Sequence, residues 1–152
     1  MIEQYASENL IEAILQTSSA VKQRLGRRFA YRLGLTPGPL GKDDGIDGSG
    51  ISQGRKIYFQ CRLSRQKLGL KVAKEVYSDL DRHHADFGVI LSGVGFTEGF
   101  ISRLDKQTKK YRVHCLMLRD IFLCTDAFNE AVAELPPLRD LDEEAKRMLQ
   151  EE

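Results

Sequence analysis

The sequence predicts an α/β domain built on a central mixed sheet of about four strands flanked by helices. Two short apolar runs carry much of that reading. FGVILSG (87–93) and VHCLML (113–118) are nearly continuous in hydrophobic residues, as strands covered on both faces require. They alternate with segments whose apolar residues recur every three or four positions, the mark of helices that bury one side. This alternation makes the last two strands parallel, while an earlier hairpin supplies an antiparallel edge.

The elements follow in order. Ser7 before ENLIEAIL reads as a capped helix with Leu10, Ile11, Ile14 and Leu15 on one side. A second helix is expected from about Ser19 to Leu33, with Val21, Leu25, Phe29 and Leu33 facing the core and arginines on the adjoining strip. TPGPLG (36–41) stops it and reads as a loop leading to an aspartate cluster. IDGSG begins a short strand, SQGR is the turn of a hairpin, and KIYFQCRLS is the returning strand. Leu70, Val72, Ala73, Val76, Tyr77 and Leu80 mark an amphipathic helix over 68–82. Thr97 is placed to cap a helix toward Lys110, and Asp120 or Thr125 to open one toward Leu135. Pro136 and Pro137 are expected to end a domain spanning 1–136, with the helices of 7–33 at its start. Residues 137–152 read as a charged helical tail.

Composition narrows the function classes. The chain has 152 residues, 41% hydrophobic and 30% charged, which suits a single globular domain. Its net charge of +1 means that any footprint for a polyanion has to be local. No apolar run approaches the roughly 20 residues of a bilayer span, and the N-terminus is too polar for a signal peptide, so a cytoplasmic protein with no membrane partner is expected. Cys61, Cys115 and Cys124 lack metal-binding spacing and read as buried thiols.

The chemistry concentrates between residues 41 and 62. Asp43, Asp44 and Asp47 sit among turn-forming glycines, a setting that also suits a plain solvated turn. In the strand that follows, alternation sets Ile57, Phe59 and Cys61 on one side and Tyr58, Gln60 and Arg62 on the other. Gln60 and Arg62 would be costly to bury without partners, and Asp47 on the paired strand is the expected one. A carboxylate, an amide oxygen and the intervening backbone carbonyl form an all-oxygen set that Mg²⁺ accepts, with water completing its shell.

GKDDGIDG, the strand ending QCR, and ADFGVILSGVGFTEGF together resemble the Mrr-like branch of the PD-(D/E)xK restriction-endonuclease-like superfamily over about residues 36–125. The resemblance implies a restriction-endonuclease-like fold and DNA hydrolysis assisted by Mg²⁺ or Mn²⁺. Asp47 matches the family's metal-binding aspartate and Gln60 the first residue of its (D/E/Q)xK pair. Cys61 would lend its backbone carbonyl to the metal, Asp43 a supporting role, and Glu12 is a poor match for the family's helical glutamate. Arg62 stands where the family has lysine, so Asp47, Gln60 and Arg62 are the catalytic candidates. An arginine supplies positive charge but is no general base at neutral pH. Three outcomes stay open: purely electrostatic catalysis by Arg62, a lysine reaching in from 67, 71 or 74, or a site retained only for binding.

Two basic strips are candidates for touching a phosphodiester backbone: Arg24, Arg28 and Arg32 with Arg27 beside them, and Lys67, Lys71 and Lys74. A solvated helix face is the plain alternative, and no interleaved aromatics suggest base stacking. DNA is the expected partner, in a homodimer or a subunit of a larger defence or repair complex. The rivals are a catalytically inactive DNA-binding or assembly module and a small-ligand or RNA-directed α/β protein.

Overall fold

The computed structural model describes residues 2–38, 46–107, 112–136, 138–139 and 141. Helices α1 (Ile2–Leu15) and α2 (Ser19–Arg32) come first, followed by strands β1 (Thr36–Pro37), β2 (Gly48–Ser52) and β3 (Arg55–Arg62). Then come α3 (Leu70–Arg82), β4 (Phe87–Ser92), α4 (Glu98–Gln107), β5 (Arg112–Met117), α5 (Leu118–Leu123) and α6 (Asp126–Glu134). The strands form one five-stranded sheet in the order β1-β2-β3-β4-β5, antiparallel from β1 to β3 and parallel from β3 to β5. The mixed sheet is as expected. The additional strand is Thr36–Pro37, read from the sequence as loop, because proline at a sheet edge leaves no ladder donor missing.

The hairpin is set by its turn. Gln53 and Gly54 both adopt positive φ, 52° and 79°, the conformation whose twist matches the flanking strands in a two-residue connection. Strand β3 is central and covered on both faces. Ile57 and Phe59 enter one core with Leu25, Phe29, Leu118, Ile121 and Phe128 from α2, α5 and α6. Tyr58 enters a second core with Ala73, Val76, Leu80, Phe100 and Leu104 from α3 and α4. The molecule is therefore a three-layer helix–sheet–helix sandwich.

Several boundaries move for local reasons. Ser7 lies inside α1, not at its cap, since the helix starts at Ile2. Ser18 caps α2 by accepting the Val21 amide at 3.3 Å, and Thr97 accepts the Phe100 amide at 3.1 Å at the start of α4. The single helix expected toward Leu135 is two. Asp120 accepts the Met117 amide at 2.8 Å and the Thr125 hydroxyl at 2.7 Å, tying the start of α5 to the cap of α6 across Cys124, whose φ is +50°. The packed region also continues beyond the prolines. Leu138 and Leu141, read from the sequence as tail, are only 1% and 3% exposed, and the Arg139 amide donates to the Leu33 carbonyl at 2.7 Å. Among the described residues, no helix is long and apolar enough to cross a membrane.

Candidate active site

The parallel strands β3, β4 and β5 end on the same side of the sheet, and the candidate residues gather at the end of β3 on the edge where β2 begins. There Asp47 enters β2 with a distortion. Gly48 pairs with Phe59 in the ladder, yet the Asp47 amide also donates to the Phe59 carbonyl at 2.9 Å. Two residues of the incoming chain thus address one residue of β3, the geometry of a bulge, which re-aims the side chain that precedes the regular ladder. The Asp47 carboxylate turns toward Cys61 and its Oδ2 accepts the Cys61 backbone amide at 2.7 Å. It takes the place of the ladder partner that β2, beginning one residue later, leaves missing.

Helix α2 leaves room for this. A methyl group at Gly26 would come within 3.3 Å of Asp47 Cγ and Oδ1 and of Cys61 Cβ. Burial, aided by the Asp47 charge, pushes the Cys61 thiol well above its usual range, so this sulfur stays protonated beside the carboxylate. The three cysteines are half-buried thiols that form no disulfide.

The other face of β3 carries Tyr58, Gln60 and Arg62 against α3. Gln60 is 3% exposed, and its buried Oε1 has no hydrogen-bond partner among the described residues. An unpaired buried acceptor costs about 1–3 kcal/mol, and a donor or a cation at this oxygen would remove that cost. Arg62 Nη2 donates to Glu75 Oε2 at 2.8 Å, and Tyr58 donates its hydroxyl to Asp79 Oδ2 at 3.2 Å. Asp79 also pairs with Arg82 at 2.7 Å. Burial raises the Asp79 carboxyl above its ordinary range, and burial together with Asp79 pushes the Tyr58 phenol far up. These groups form a polar seam between β3 and α3.

The expected pairing is thereby corrected. Asp47 was expected as the partner of Gln60 and Arg62. Instead it holds the backbone amide between them, while Arg62 is held by Glu75 from α3. The sequence offered one signal for Glu75 and Asp79: two carboxylates four residues apart, flanking the apolar positions Val72, Val76 and Leu80 of one helix. Glu12 is exposed on α1, within 3.9 Å of Arg65. Asp43 and Asp44 lie outside the described residues.

The two basic strips do not share a surface. Helix α2 covers one face of the sheet and α3 the opposite one. Gly26 lies beside Asp47 and Ala30 beside Gly48, so α2 runs away from the site, and Arg32 lies about 9 Å further along its axis at ~1.5 Å per residue. Arg24 is exposed near the site, whereas Arg27 is committed to the Gly38 carbonyl at 2.8 Å. Arg28 and Arg32 are half-buried, and Arg32 lies 5.4 Å over the Tyr31 ring. Lys67, Lys71 and Lys74 are exposed at the end of α3 that faces the site.

As a donor set for a cation, the described residues at the end of β3 offer the Asp47 carboxylate, the Gln60 amide oxygen and the Cys61 backbone carbonyl. Among the described residues no three His, Cys, Asp or Glu side chains gather as a cluster. A residue in a strand projects its N–H and C=O to the same edge, so the Cys61 carbonyl opens on the side where Asp47 lies. Oxygen donors of this kind, few in number and leaving positions for water, suit Mg²⁺ or Mn²⁺ better than a metal that needs thiolate or imidazole.

A family model of the Mrr catalytic type, described as restriction endonuclease, matches residues 8–113. The match runs from α1 into β5 and contains every residue of the seam and of the Asp47 turn. No curated protein matches the chain.

Proposed function

Because the chain belongs to the Mrr-type restriction endonuclease family, we propose that it hydrolyses DNA phosphodiester bonds with the help of Mg²⁺ or Mn²⁺ at the end of β3. The observation that carries this reading is the Asp47 carboxylate on the amide of Cys61, the residue that follows Gln60 in β3, together with the buried Gln60 Oε1, which has no hydrogen-bond partner among the described residues. Asp47, Gln60 and the Cys61 carbonyl would hold the cation. Once bound, it would polarise the phosphate and lower the pKa of a coordinated water.

The chain's own residues do the rest. The bulge at Asp47 and the close approach of α2 at Gly26 fix the carboxylate before substrate arrives, so little reorganisation is needed. Arg62 supplies positive charge to the phosphate in its transition state. It carries five donors in a fixed fork and stays protonated, so it stabilises charge without taking a proton from water. General-base catalysis is worth about 10²- to 10⁴-fold, and an enzyme lacking it here is a slow nuclease. Arg24 on one face of the sheet and Lys67, Lys71 and Lys74 on the other contact the backbone without reading bases. A single site cuts one strand, so a homodimer or a larger complex delivers the second cut.

A second reading, a binding module that has lost the chemistry, is favoured by the same Arg62, neutralised in part by Glu75. A plasmid cleavage assay with Mg²⁺, Mn²⁺ or chelator separates the two, comparing wild type, Asp47→Ala and Arg62→Lys. Metal-dependent nicking by wild type that Asp47→Ala abolishes supports the nuclease. An inert wild type that gains activity in Arg62→Lys establishes the binding module instead.

A further inference from the structure

The Arg62–Glu75 pair has a chemical logic that neither residue shows alone. On α3, Val72, Glu75, Val76 and Asp79 occupy the stripe that lies over β3, and the helix runs back along the strand, so the earlier carboxylate meets the later strand residue. Glu75 Oε2 takes one Nη2 hydrogen of Arg62 at 2.8 Å, and the two side chains are 33% (Arg62) and 41% (Glu75) exposed. The guanidinium is thus gripped on one edge while it remains open to solvent. A planar fork with five donors can be held by a carboxylate and still present other N–H groups to a phosphate. A lysine ammonium has no such second edge of fixed direction.

We infer that Glu75 is a positioning residue: it fixes the guanidinium of Arg62 so that its free edge faces the scissile phosphate, and this is how an arginine serves where the family has lysine. The inference rests on the nuclease reading. Glu75 touches neither DNA nor metal in this scheme. Its carboxylate also opposes the incoming phosphate electrostatically, so orienting Arg62 comes at some expense of DNA affinity.

The test is single-turnover cleavage of a DNA duplex in Mg²⁺, with affinity measured separately without metal, for wild type, Glu75→Gln, Glu75→Ala, Arg62→Ala and Arg62→Ala/Glu75→Ala. Positioning predicts that Glu75→Ala lowers the cleavage rate about tenfold or more, since misplacing a catalytic group by 1 Å costs up to about 10²-fold. Glu75→Gln, which keeps an acceptor, is expected to fall between wild type and Glu75→Ala, and DNA affinity to hold or rise in both. In the Arg62→Ala background, Glu75→Ala then has no further effect on the rate. Unchanged cleavage in Glu75→Ala overturns the inference while leaving the nuclease reading intact. So does a loss of rate that comes with lost affinity and a lowered Tm, the pattern of a merely structural pair. Wild-type protein that does not cleave in an Asp47-dependent way overturns both.

Discussion

Asp47 and Cys61 are joined through a side chain and a backbone: the carboxylate Oδ2 accepts the Cys61 amide at 2.7 Å, filling a gap in the sheet that β2 leaves by starting one residue later. The bond makes the metal-binding candidate part of the sheet's own ladder. Its position is therefore fixed by the same interactions that hold β2 to β3.

Removing that carboxylate has separable consequences. Asp47→Asn keeps an oxygen acceptor for the amide but loses the charge proposed to hold a cation. Asp47→Ala also leaves the amide without its partner, at a cost of about 1–3 kcal/mol. Both variants are expected to lose at least about 10²-fold in cleavage, the scale of removing one electrostatic group from an active site. Only Asp47→Ala should show a clearly lowered Tm. Thermal melts beside cleavage rates check this, and equal Tm loss in both variants contradicts it.

Gly26 tests the site from the helix side. Alanine is favoured over glycine inside a helix by about 1 kcal/mol, which offsets the crowding expected from a Cβ 3.3 Å from Asp47 and Cys61. The expected outcome is a Tm within a few degrees of wild type and a cleavage rate reduced about tenfold as Asp47 is displaced. Undiminished cleavage would show that the approach of α2 does not set the carboxylate.

Much of this was legible in the sequence, and the omissions share a cause. Alternation along KIYFQCR and the Gln53–Gly54 turn are local, and both stand as read. FGVILSG and VHCLML were legible because a strand buried on both faces needs an unbroken apolar run. The direction of Asp47 was not legible, because a bulge shifts the alternation by one residue and depends on where the β2–β3 ladder stops. Glu75 was missed because its partner is on another element, and helical periodicity says only that residue 75 flanks the buried stripe. Leu138 and Leu141 were read as tail because charged neighbours hide two isolated leucines whose burial depends on the groove they meet.

The polar seam predicts a pH effect. Desolvation raises the Asp79 carboxyl, against the pull of Tyr58, Arg82, Arg62 and His83. Between the ordinary and the raised value the folded state then keeps a proton that the unfolded chain releases. Its stabilising effect is complete below the ordinary carboxylate value and is lost as pH climbs through the raised one. Asp79→Asn removes a group that is costly to ionise while keeping an acceptor for the Tyr58 hydroxyl. Its Tm relative to wild type should therefore be higher at pH 7 than at about pH 3.5, below the ordinary carboxylate range. Melts across that interval decide it, and a difference that shrinks with rising pH contradicts the assignment.

Leu138 and Leu141 are expected to behave as core residues. Leu141→Ala should cost about 2–3 kcal/mol, toward the lower part of the range for buried leucine because the segment can partly collapse onto the groove. Ending the chain at Pro136 removes both leucines and the Arg139–Leu33 hydrogen bond, and should lower stability by more. Denaturant melts measure both, and a truncated chain as stable as the whole one would make these contacts incidental.

The basic residues are distinguished by where the helices place them. Lys67, Lys71 and Lys74 are exposed at the site end of α3, and Arg24 is exposed at the site end of α2, whereas Arg32 lies further along α2 over Tyr31. If DNA lies across the end of β3, glutamate at 67, 71 or 74 weakens binding equally for unrelated sequences, because phosphates carry no sequence information. Each lost phosphate contact should also flatten the plot of log affinity against log salt by about 0.9. Arg32→Glu should leave that slope nearly unchanged. The contrast between Arg32 and Lys71, at equal change of net charge, separates a bound surface from bulk electrostatics. A protein responding only to its overall charge would lose the same affinity in both variants, whereas one that lays DNA across the end of β3 loses it at Lys71 and keeps it at Arg32.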